Sequence, residues 1–160
     1  MNDKIIFKLL LGFLLLASSC TNPTEIQATE TDTAAIIEQV KNRVAAFQAA
    51  DTTLSSDKVI DLLWPEFTML ADGNYVAYQD VKTGSKAFMA SLNSFHTKWE
   101  DLRIIPLGKT HAISSFIFTD SIIAKDGTLT QSRGPNTFIW EKRDGVWKVL
   151  YGDADHYPIQ

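Results

Sequence analysis

The side chains of this chain that could do chemistry are few, and most lie near its end. Asp153, Asp155 and His156 bring two carboxylates and an imidazole close together in sequence, the makings of a minimal metal set. On an extended strand, however, Asp153 and Asp155 project to one face and His156 to the other, so no metal site is expected. His96 and His111 stand alone, as surface or capped histidines do. The sequence has neither a Gly-rich phosphate loop nor a nucleophile elbow. The single thiol, Cys20, closes an apolar run that begins at Ile5 and is led by Lys4 and Lys8. That run is too short to cross a bilayer as a mature helix, and small residues precede the cysteine, which is the layout of a cleaved export signal.

The stretch Leu16-Ala17-Ser18-Ser19-Cys20 resembles a bacterial lipoprotein signal. The resemblance implies that residues 1–19 are removed, that Cys20 is lipidated, and that the protein sits in the cell envelope on the periplasmic or surface face of a membrane. Acyl chains contribute about 0.8 kcal/mol per buried methylene, so several chains on one cysteine hold a small domain in place. Residues 20–33 are polar and read as a flexible tether; residues 34–160 are left for one domain. With Cys20 lipidated no thiol remains for a disulfide, so packing alone must stabilise that domain. A net charge of −4, with no basic cluster, argues against a nucleic-acid partner.

The elements that must position these groups are legible from periodicity and turns. From Asp32 as N-cap, Ile36, Val40, Val44 and Phe47 recur at helical spacing. A second helix is expected from about Ser56 to Leu63, ended by Pro65. A third is expected between about Val81 and Phe95, with Ala87, Phe88, Leu92 and Phe95 facing inward. Three Asp-Gly pairs (Asp72-Gly73, Asp126-Gly127 and Asp144-Gly145) sit between apolar stretches and signal hairpins. A further strand is expected from about Leu102 to Leu107. Strict alternation in the last strand puts Trp147, Val149, Tyr151 and Asp153 on one face and Lys148 and Leu150 on the other. Both faces carry apolar groups, so helices should cover one and a second copy of the chain the other, giving a homodimer.

The hairpin from Arg133 to Leu150, with its aromatic strand, charged turn and Trp147-Lys148-Val149 core, resembles the SnoaL-like, nuclear transport factor 2-like and ketosteroid isomerase-like domains. The similarity runs from about Ile36 to His156. It implies an α+β fold in which three N-terminal helices pack into a strongly curved antiparallel sheet, a cone-shaped roll with a pocket at its wide end. The isomerases' catalytic pattern does not carry over. Their general-base position falls near Leu70 or Ala71, with Asp72 displaced into the turn; their hydrogen-bonding acid falls near Thr137; and the first helix has no tyrosine. SnoaL-like relatives often place histidines on the concave side of the final strand. Tyr151 and Asp153 occupy those places here, with His156 close by, making these three the candidate donor and bases. The bland alternative is a buried phenol followed by a solvated carboxylate. Trp64, Phe67, Met69 and Trp99, together with Phe116, Phe118 and Trp140, are expected to line an apolar cavity or to fill the core. No cofactor is implied. The reading that follows is a lipid-anchored domain binding a small, largely apolar molecule; its rivals are an acid-base enzyme in the same pocket and a dimerisation module with none. A cavity with several convergent polar groups favours the enzyme, and a dry cavity the binder.

Overall fold

The computed structural model describes residues 29–159, so Cys20 and the signal segment lie outside the described residues. The first helix, α1 (Glu30–Thr52), starts two residues before the expected N-cap. Thr29 caps it: its hydroxyl accepts from the Asp32 N–H at 3.2 Å, and the Asp32 carboxylate accepts from the Thr29 N–H at 3.3 Å. Asp32 is thus the returning arm of a capping box, and residues 30–33, assigned above to the tether, are helical. The stripe Ile36, Val40 and Val44 is buried as its spacing requires.

A short helix, α2 (Ser56–Asp61), gives way at once to strand β1 (Leu63–Ala71), so Leu63 belongs to the sheet. Strand β2 (Asn74–Ala77) and helix α3 (Tyr78–Ala90) follow, then β3 (Leu92–Leu107), β4 (His111–Ala124), β5 (Leu129–Arg143), β6 (Val146–Ala154) and the short β7 (Tyr157–Pro158). The third helix therefore ends earlier than expected. Phe88 is largely exposed and Met89 is its buried residue, while Leu92 and Phe95 open a strand far longer than the one foreseen from Leu102. The physical reason is a change of period: Phe95, Thr97 and Trp99 alternate, and continuous pairing with β4 outweighs the helical spacing of 88, 92 and 95.

The sheet runs β2-β1-β6-β5-β4-β3, with β1 and β6 parallel and the other neighbours antiparallel, and β7 also pairs with β5. Two of the Asp-Gly pairs make two-residue turns with positive φ at both positions: Asp72 at 50° and Gly73 at 77°, Asp144 at 50° and Gly145 at 82°. A register shift between Glu100 and Arg103, with Asp101 at φ 56°, bends β3 and adds to the curvature. The concave face takes every second residue of β4 and β5, from Ala112 and Trp140 at the narrow end to Asp120 and Ser132 at the wide end. Trp140 is fully buried and donates to the Ser114 hydroxyl at 2.9 Å. A large side chain buried so contributes about 1.5–3 kcal/mol.

The final strand breaks the alternation assumed above. Trp140 pairs with Val149 but Ile139 with Tyr151, which leaves Leu150 as an extra residue in a bulge. Beyond it the faces exchange. Gly152 and Ala154 turn into the concavity, and Tyr151 and Asp153 turn to the convex side.

Candidate active site

At the wide end the curved sheet and the helices enclose a cavity of about 190 Å³. Its walls are aromatic. Phe47 of α1 stacks on Phe138 of β5 at 5.1 Å, and Trp99 of β3 stacks on Phe116 of β4 at 4.2 Å. Phe67 and Met69 from β1, Phe95 from β3 and Phe118 from β4 add to the apolar lining, with aliphatic groups such as Val59 and Val81 beside them. Gln48 of α1 donates to the Thr97 carbonyl at 2.9 Å, which fixes the helix across β3.

Five polar side chains converge on this lining: Asp51, Thr97, Asp120, Asn136 and His156. Asp51 continues the apolar stripe of α1, one turn after Phe47. Asp120 continues the inward series Phe116, Phe118 on β4, opposite Thr97. Both carboxyls have raised pKa values. Burial pushes Asp51 up to about 7, with the Asp120 charge adding to the shift. Burial also raises Asp120, while the Thr97 hydroxyl and the charge on His156 pull it back. Asp120 is 6% exposed and Asn136 8%; one oxygen of each, Oδ1, has no hydrogen-bond partner among the described residues.

His156 enters by a different route. Beyond Ala154 the chain rises over β5 at Gly134, where a Cβ would come within 1.6 Å of the Asp155 carbonyl oxygen. Only glycine lets the two backbones approach so closely. From there the His156 N–H donates to Asp72 Oδ1 at 2.7 Å, and its Nδ1 lies 3.0 Å from Asp72 Oδ2. The ring packs on Phe118, with centroids 4.8 Å apart. A histidine held through one nitrogen by a carboxylate presents the other to its surroundings. Asp72 holds it from the left-handed first position of the β1–β2 turn.

The expected site residues are therefore divided. His156 reaches the cavity; Tyr151 and Asp153 do not, because the Leu150 bulge sends them to the convex face. Phe67, Met69, Trp99, Phe116 and Phe118 line the wall. Trp140 packs below it in the narrow end, and Trp64 lies apart, its N–H on the Glu141 carbonyl and its ring 4.6 Å from the Arg143 guanidinium. Asp51 and Asp120 went unremarked in the sequence, although each stood in plain phase with an apolar series. Among the described residues no group of three His, Cys, Asp or Glu side chains is arranged to hold a metal.

No family model matches the chain, and no curated protein matches its sequence. Its structure is similar to that of a conserved protein from Planctomyces limnophilus DSM 3776, with TM-score 0.73 and 11% identity over 79% of this chain and 99% of that one. It is similar also to hexachlorocyclohexane dehydrochlorinase LinA-type3 from Novosphingobium barchaimii LL02, with TM-score 0.69 and 12% identity over 82% and 94%. A nuclear transport factor 2-like superfamily protein from Salmonella enterica gives TM-score 0.69 and 12% identity over 79% and 94%. At such identities the likeness shows the fold. The chain has the pocket-bearing cone fold of nuclear transport factor 2-like and SnoaL-like proteins, as its last hairpin implied.

Proposed function

We propose that the cavity binds a small, largely apolar molecule and moves a proton on it, with Asp51 as base and His156 as the companion acid. The observation that carries this reading is the convergence of Asp51, Asp120 and the Asp72-held His156 on one largely apolar cavity. A carboxylate set among aromatic rings and raised to about 7 is half ionised near neutrality, where a base serves best. Asp120 supports the proton affinity of Asp51 through its charge. His156 stands at the mouth, where a departing group would leave. Proton abstraction from carbon with loss of a leaving group is the simplest such reaction, and a structural neighbour is named a dehydrochlorinase.

The test uses 5-nitrobenzisoxazole, a flat apolar probe whose ring opens when a base removes its C–H proton. The C–H electrons form the nitrile, the N–O bond breaks, and its electrons stay on the oxygen of the single opened product, a cyano-nitrophenolate. The purified protein should accelerate this reaction, and Asp51→Asn should reduce the rate about a hundredfold. His156→Gln should change it little, because the phenolate oxygen is released without a proton. Equal rates in the parent and Asp51→Asn would overturn the assignment and leave a binding role.

We also propose that Cys20 carries the lipid anchor and that a second copy covers the convex face. The first rests on the signal-like run before Cys20. The second is supported by the apolar groups on that face, among them Ile105, which is 56% exposed, with Ile113 and Ile139 beside it.

A further inference from the structure

We propose that the molecule this cavity takes is a single-ring compound bearing a protonated amine. The inference rests on the proposed role of the same cavity and names its ligand class. Size comes first. A dry cavity of about 150 Å³ accommodates benzene. The volume of about 190 Å³ here admits one ring with a short arm.

Wall chemistry comes second. The rings of Phe47, Trp99, Phe116 and Phe138 in this lining carry π-clouds, whose quadrupole attracts cations. Two carboxyls, Asp51 and Asp120, share this lining, and no lysine or arginine does. The one side chain there able to carry positive charge, His156, is engaged by Asp72. An anionic ligand would therefore meet two acids, with the lining histidine already held by a third carboxylate, Asp72.

Hydrogen-bond supply comes third. Asp120 and Asn136 are each more than nine-tenths buried, and each has an oxygen without a partner among the described residues. Buried acceptors call for donors. An ammonium brings three donors and the charge that lets neighbouring carboxyls ionise together. A neutral alcohol brings one donor and no charge.

Benzylamine and benzyl alcohol have nearly the same shape and differ in this head group. Titration of the purified protein near neutral pH, followed by calorimetry and Trp fluorescence, should give an affinity for benzylamine at least about tenfold above that for benzyl alcohol. Asp120→Asn should erase the preference and leave benzyl alcohol binding in place; Asp51→Asn should reduce it and serves where the first variant does not fold. Equal affinities in the parent, or a preference that survives both substitutions, would overturn the proposal. Ring opening of 5-nitrobenzisoxazole without benzylamine binding would discard the amine and keep the acid-base reading. Benzylamine binding without ring opening would do the reverse.

Discussion

Asp51 is held where its charge is unwelcome, among aromatic rings and beside Asp120, so the folded protein takes up a proton there far more readily than the unfolded chain. With the folded value near 7 and the ordinary value at 3.8, the stability this group contributes is fully present below 3.8 and is lost as pH rises through 7. Asp51→Asn removes that dependence. It should leave stability nearly unchanged in acid and raise it by about 1–3 kcal/mol in mild alkali, read from urea unfolding of both proteins at each pH. A parent-to-variant difference that stays flat with pH would contradict the raised value of Asp51. At this scale the sequence held more than periodicity alone extracts. A carboxylate in phase with Ile36, Val40, Val44 and Phe47, or with Phe116 and Phe118, is an acid on a buried face, and burial is what makes it reactive. Tyr151 and Asp153 had the appropriate chemistry, but the bulge at Leu150 carries them to the other side.

Helices and hairpins are largely legible because their signals are local: four-residue stripes and Asp-Gly turns fix φ and ψ within a few residues, although the cap itself proved to be Thr29 rather than Asp32. Bulges are not. The extra residue at Leu150 is set by the joint demands of β5 and the parallel partner β1, so alternation read along β6 alone predicts the wrong face beyond it. Gly134 is equally silent in sequence. Its role appears only where the chain end crosses β5 and delivers His156 to Asp72. Gly134→Ala should therefore force Asp155 and His156 outward while the remaining sheet persists. The His156 ring protons, shifted by the adjacent Phe118 ring in the parent, should return to ordinary positions in the NMR spectrum, with the Trp140 indole signal unmoved. Retention of the Phe118 ring-current shift would show that the crossing does not place the histidine.

The cone as a whole was recognisable from one hairpin because an aromatic strand, a tight charged turn and a second apolar strand constrain a curved sheet and its cover together. The pocket's chemistry was not, since it is assembled from α1, β3, β4 and the chain end, which meet only after folding. The convex face, apolar at Ile105, Ile113 and Ile139, should make the protein freed of its first residues sediment as a dimer at micromolar concentration; a monomer there would remove the second copy from the account. At the wide end of the cone, Asp51 is proposed as a base poised near neutrality. The most direct measurement is the pH dependence of 5-nitrobenzisoxazole opening by the parent and by Asp120→Asn. The rate should rise with a midpoint near 7 in the parent, where Asp51 ionises, and at lower pH once the Asp120 charge is removed. A midpoint in the ordinary carboxylate range, or one that Asp120→Asn leaves in place, would contradict it.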